Sequence, residues 1–176
     1  MKTNEKGPVL YTGPFLLLMK LVRKIDYASF GAIVFCMGAM TLLVSTQVFL
    51  RYVLSSSIDS ADELSRLFFV WAIFLAIPHG LKSGIHVGID VLVCRFNQSL
   101  QTQISRLMSF SSAGLMGLVF VITIFVVGDK WQEQMPTLGI TAAVYYIAVL
   151  IATFHTFLHL VLLAWGGPTI WAEEVK

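Results

Sequence analysis

Leu67-Phe68-Phe69-Val70-Trp71-Ala72-Ile73-Phe74-Leu75-Ala76-Ile77 is an apolar run set between charged ends. Before it stand Arg51-Tyr52, the serine-rich turn Ser55-Ser56-Ser57, and then Asp59, Asp62, Glu63 and Arg66. After it come Pro78-His79-Gly80, Lys82, His86 and Asp90. Charges, then unbroken apolar residues, then charges again is the pattern of a chain that passes through a bilayer, where a charge left in hydrocarbon is costly. Outward from this stretch the pattern recurs. No charge interrupts Tyr27–Leu50, between Asp26 and Arg51, or Leu107–Gly128, between Arg106 and Asp129. Thr141–Trp165 runs to a Gly166-Gly167-Pro168 stop. As helices of about 1.5 Å rise per residue, roughly 20 apolar residues cross a hydrocarbon core of about 30 Å, so these runs are long enough. The uncharged part of the second segment, Leu67–Leu81, is short. Its first turns therefore belong at headgroup level, where Glu63 and Arg66 are solvated or paired, with Ser60 as N-cap and Glu63 as its capping-box partner.

The totals agree. Of 176 residues 57% are hydrophobic and 12% charged, and the mean hydropathy is +0.80. Soluble domains carry about 25% charged residues, and one core of this size cannot hide so much apolar surface. A formal net charge of +2 and the absence of a basic stripe give nothing for nucleic acid to bind. Cys36 and Cys94 have no metal-type spacing and read as free thiols.

In Val9–Ile25 an apolar set (Phe15 to Met19, Leu21, Val22, Ile25) opposes Lys20, Arg23 and Lys24. That pattern fits a helix lying in the membrane interface, with a plain extension of the first span as the rival. Gly7, Pro8, Gly13, Pro14 and Lys20 interrupt what would be a signal peptide's apolar region, so no cleaved signal is expected. Lysines and arginines number nine over the N-terminus, the second connection and the tail, against three in the other two loops. The positive-inside rule then places both termini in the cytoplasm. The expected fold is an all-α membrane protein: an N-terminal tail and interfacial helix over 1–25, spans over 27–50, 60–82, 107–128 and 141–165, and a cytoplasmic tail over 166–176. Gly31, Ala32, Gly38, Ala39 and Ser45, and again Gly114 and Gly117, offer small sides for close helix packing.

Arg51, Asp59, Asp62, Glu63 and Arg66 fall near one membrane face. A hairpin brings Arg51, at the end of one helix, to Glu63, at the start of the next, as a helix-fixing or partner-docking pair. No nucleophile, glycine-rich loop or metal set accompanies these acids, so an enzyme is not expected. His155 and His159 share a helix face, and His79 belongs near the same cytoplasmic side. Histidines on neighbouring membrane helices ligate haem iron, which gives an alternative: a haem- or quinone-associated anchor subunit of an oxidoreductase. The simpler reading is interfacial histidines bonded to backbone, lipid or a partner chain, with no cofactor. A polar path for a solute is not evident in the first and third spans.

Taken in order, Gln47-Val48-Phe49-Leu50-Arg51-Tyr52, then Ala61-Asp62-Glu63-Leu64-Ser65-Arg66-Leu67-Phe68-Phe69-Val70-Trp71, then Ile85-His86-Val87-Gly88-Ile89-Asp90, and Thr137-Leu138-Gly139-Ile140 before the last helix, the chain resembles the small membrane subunit (DctQ-like) of tripartite ATP-independent periplasmic (TRAP) transporters. The resemblance covers roughly Asp26 to Trp165. It implies a non-catalytic subunit of the bacterial inner membrane that widens the scaffold of a large membrane subunit. That large subunit carries solute and sodium ions during uptake of an organic acid delivered by a periplasmic binding protein. On this resemblance Arg51, Asp62, Glu63, Arg66 and Trp71 fix the first two helices, and His86 and Asp90 order the cytoplasmic bend. Ser57, Asp59, Lys130 and Glu133 lie in the loops open to the periplasmic protein. The solute is set by residues of other chains.

Overall fold

A computed structural model describes residues 13–56, 58–82 and 98–166, and these form four long helices. α1 is Gly13–Val53, α2 Asp59–Lys82, α3 Gln98–Asp129 and α4 Ala143–Gly166. All four are long and apolar enough to cross a membrane.

α1 has 41 residues and so a length of about 61 Å, about twice a bilayer core. The segment expected as a separate interfacial helix is, from Gly13 to Ile25, the opening of α1 itself. The local reason is plain. Pro14 falls in the first turn, where its missing N–H costs nothing, and Phe15 to Lys24 contains no breaker. α3 likewise starts at Gln98, well before the apolar boundary at Leu107, because its polar opening still forms helix. α1 ends in a left-handed cap. Ser55 has φ +49°, the Leu54 and Ser56 N–H groups both donate to the Leu50 carbonyl, and the chain turns into α2.

α4 is the centre. Of its apolar stretch 44% of residues are buried inside the bundle, against 6% for α1. It packs on α3 and α2 and, at one end, on α1, while α1 and α2 form a hairpin. Ala143, Ala148 and Ala152 are fully buried and let neighbours come close. Phe120 and Phe154 stack with centroids 5.5 Å apart, joining α3 to α4, and Phe35 meets Phe68 edge-on at 6.0 Å, joining α1 to α2. Val22 and Leu162 are fully buried against each other, with Leu18, Met19, Leu158 and Leu163 around them. The opening of α1 thus lies along the closing turns of α4.

Not every small residue serves this packing. A Cβ built on Gly31, Gly38 or Gly114 would meet nothing within 4 Å, so those glycines face outward from the bundle. At Gly117 it would sit 3.6 Å from the Phe157 ring, so there the missing side chain does admit a neighbour. Phe30, Phe49, Phe110 and Phe125 are exposed on the outer faces, as lipid-facing side chains are.

The α3–α4 connection is a built structure. Gln134 and Thr141 form an antiparallel bridge, Met135 N–H donates to the Ile140 carbonyl at 2.8 Å, and Ala142 N–H donates to the Glu133 carbonyl at 2.7 Å. Gly139 turns the chain with φ +64°, and Met135 is buried beneath. The Thr141 hydroxyl accepts from the Ala143 N–H and so caps α4.

Candidate functional site

Among the described residues, two places in the bundle gather polar side chains from different helices. The first is at the end where α1 turns into α2 and α3 into α4. Glu63 Oε2 accepts from the backbone N–H of Thr137 (2.8 Å) and of Leu138 (3.0 Å), and from the Thr137 hydroxyl. One carboxylate on α2 thereby holds the turn before α4, three charge-assisted bonds converging on one oxygen. The Tyr145 hydroxyl makes a long contact, 3.4 Å, to the Glu63 carbonyl. Arg51 instead lines an open cleft with Gln47, Ser55, Ser56, Asp59 and Asp62. The expected Arg51–Glu63 pair is therefore replaced: Glu63 is turned away to the Thr137–Leu138 amides. The same geometry displaces the expected capping box, since α2 starts at Asp59 and the Glu63 carboxylate is engaged elsewhere. Asp62 and Arg66 are exposed, and Trp71 is half-buried in α2. Lys130 Nζ donates to Glu133 at 2.7 Å, and that bond holds the Lys130 ammonium above its ordinary range. His86, Asp90 and Ser57 lie outside the described residues.

The second place is inside the bundle. Asp26 on α1 is buried, and so are His155 and His159 on α4. His155 Nε2 lies 2.9 Å, and His159 Nε2 2.8 Å, from the same atom, Asp26 Oδ1. An ionised carboxylate has only lone pairs to offer, so each Nε2 carries the hydrogen and donates. A third imidazole closes the α2 side. The Ser29 hydroxyl donates to the Asp26 carbonyl at 3.0 Å, so His79 Nε2, 2.8 Å from that oxygen, is the donor to it. The His79 ring meets that of His155 edge-on, 6.2 Å between centroids.

His155 is twelve residues from the start of α4, about 18 Å along a helix of about 36 Å. The simpler sequence reading had the histidines bonded to backbone, lipid or a partner chain; in the bundle they instead bond to a buried acid of the same chain. The arrangement does not favour haem either. Axial ligands approach iron from opposite faces of a porphyrin, whereas His155 and His159 come from one helix with ring centroids 4.9 Å apart and point at one carboxylate oxygen. Sequence reasoning took Asp26 only as the border of the first span and passed over Ser29. The available signal was a lone acid directly after Lys20, Arg23 and Lys24, with two histidines at helical spacing elsewhere.

The family model described as "Tripartite ATP-independent periplasmic transporters, DctQ component" matches residues 40–174. The chain belongs to this DctQ family. It is 24% identical over 141 residues to a putative TRAP transporter small permease protein of Haemophilus influenzae, 79% of this chain and 84% of that one. It is 26% identical over 131 residues to the C4-dicarboxylate TRAP transporter small permease protein DctQ of Pseudomonas aeruginosa, 56% of this chain and 62% of that one. With the corresponding protein of Vibrio cholerae it shares 39% identity over 61 residues, 35% of this chain and only 26% of the relative's length. A DctQ protein with four apolar helices is a multi-pass protein of the bacterial inner membrane. The Glu63 clamp falls within the matched residues, as do His79, His155 and His159, but Asp26 and Ser29 precede them, so the α1 members of the buried cluster lie outside the part that identifies the family.

Proposed function

We propose that this chain is the small membrane subunit of a TRAP transporter, packing against the large membrane subunit to stabilise its scaffold during sodium-coupled uptake of an organic acid. The observation that carries the reading is the DctQ match over residues 40–174, joined to outer faces that are apolar. The buried polar groups of the described residues support it. The Thr123 and Thr153 hydroxyls donate to carbonyls of their own helices, and Asp26, Ser29 and the histidine Nε2 atoms bond to one another, so most of these groups are engaged within the chain; the buried Thr156 hydroxyl and His155 Nδ1 have no such bond.

The cap end supports a second part of the reading. Asp59 and Asp62 beside Arg51, and the Lys130–Glu133 pair, are exposed around a loop that Glu63 holds in one shape. A pre-ordered charged surface loses little entropy on association, which suits repeated docking of a periplasmic binding protein. In this reading the cap end faces the periplasm and both termini face the cytoplasm, following the distribution of lysine and arginine. Lys20, Arg23 and Lys24, all exposed on the opening of α1, sit at the cytoplasmic headgroups.

The test is uptake by cells and by proteoliposomes carrying the large subunit and the periplasmic protein, with and without this chain. Solute uptake is expected only with it, and vesicles holding this chain alone carry no solute-coupled sodium flux. Undiminished uptake by the large subunit without this chain overturns the reading, as does flux through this chain alone.

A further inference from the structure

We propose that Asp26, His155 and His159 form a divalent-metal site, with a donor set suited to Zn2+, that pins the first helix of the bundle to the last. One carboxylate oxygen and one nitrogen from each histidine lie within 4.8 Å of one another, and all three residues are more than nine-tenths buried. Two histidines at i and i+4 on one helix face present Nε2 atoms side by side, the spacing by which helices hold zinc. The carboxylate comes from a second helix, so the three donors approach one point from two sides. Two imidazole nitrogens and one carboxylate oxygen match the borderline-hard ligands that Zn2+ takes, and three protein ligands leave a fourth position.

The distances fit. Donor atoms around a tetrahedral zinc with bonds of about 2.0–2.1 Å lie roughly 3.3 Å apart. The two Nε2–Oδ1 separations, 2.9 and 2.8 Å, are already near that value. Both are slightly shorter than that spacing, so the carboxylate and the imidazoles must part by a few tenths of an ångström to admit the ion. Each neutral imidazole must then present a bare Nε2 to the metal, its hydrogen moving to Nδ1. The His155 Nε2–H bond to Asp26 is given up to the metal in that exchange, and the buried His155 Nδ1, which makes no hydrogen bond, is free to take the hydrogen. Ser29 on α1 and His79 on α2, bonded to each other at 2.8 Å, flank the site, and water would take the fourth position.

Its consequence is mechanical. α1 touches α4 chiefly through its opening turns, where Val22 and Leu162 pack, and a metal bond one turn further along would make that contact permanent.

The full chain, purified in detergent and dialysed against a chelator, is titrated with ZnCl2 by calorimetry, and CoCl2 is used as a spectroscopic probe of coordination. One Zn2+ per chain is expected. Asp26→Asn, His155→Gln and His159→Gln are each expected to weaken binding by on the order of 100-fold, at least the loss that follows removal of a second-shell partner. Absence of saturable zinc binding overturns the proposal. So does unchanged affinity in the His155→Gln/His159→Gln double variant. Should the variants fail to fold, X-ray absorption of zinc on the wild-type chain decides: a shell of two imidazoles and a carboxylate supports the site, and any other shell overturns it. These readouts need no transport, so they stand apart from the test of the subunit's role.

Discussion

Asp26→Ala, measured with chelator present so that only the protein's own bonds count, is the sharpest perturbation of this bundle. The wild-type carboxylate takes hydrogen bonds from two buried imidazoles at 2.9 and 2.8 Å. A hydrogen bond to a charged group contributes about 1.5–3 kcal/mol, and removing one side of a buried charged pair costs about 3–5 kcal/mol because the polar groups left behind have no water. Two independent bonds would give about 3–6 kcal/mol; because these two share an acceptor, the figure of about 3–5 kcal/mol for breaking the pair is the appropriate one. At about 2–4 °C per kcal/mol for a chain of this size, the melting temperature should fall by about 6–20 °C. Differential scanning fluorimetry of the detergent-solubilised protein reads this directly. Asp26→Asn keeps an oxygen acceptor and loses only charge, so its fall should be smaller. Replacing Asp26, His155 and His159 together by leucine removes the acid and both imidazoles bonded to it and should recover most of the loss, since apolar replacement of a buried ionic group with its partners is often neutral. An Asp26→Ala protein that melts within about 2 °C of wild type, less than 1 kcal/mol by the same conversion, refutes the claim that this cluster holds α1 to α4.

The remaining expectations concern the cap. Glu63→Ala removes the acceptor of the Thr137 and Leu138 amides, so hydrogen exchange at Thr137–Gly139 should accelerate by at least tenfold while that of α1 stays unchanged; equal exchange in both proteins would show that the bridge and turn suffice alone. Gly139→Val forces a branched side chain into φ +64° at a cost of about 1–2 kcal/mol, whereas Ser55→Gly relieves the φ of +49° and should stabilise by up to about 1 kcal/mol. Opposite shifts in melting temperature check the pair.

The helices were legible because hydropathy is a local quantity: Leu67 to Ile77 needs no partner to declare itself apolar. Their ends were less so. Hydropathy marks what lipid covers, whereas helix is set by backbone bonding, so α1 reaches back to Gly13 and α3 to Gln98 through residues that carry charge or amide groups. The role of Glu63 was half legible. Its position at the start of α2 and the Thr137-Leu138 turn were both singled out, but that one binds the other depends on how α2 meets the α3–α4 loop, across 74 residues of sequence. The Asp26 cluster was least legible. Each member reads as an ordinary boundary residue by itself, and only the crossing of α1 with α4 makes a group of them.

That crossing has a bearing on how the protein is made. Asp26 and His155 are separated by 129 residues. At synthesis rates of about 5–20 residues per second, the acid emerges roughly 6–26 s before its histidines do. Until α4 is made, the carboxylate cannot receive its two imidazole hydrogen bonds. Closure of this part of the bundle therefore waits on α4: a nascent chain cut short of it leaves Asp26 without those two histidines.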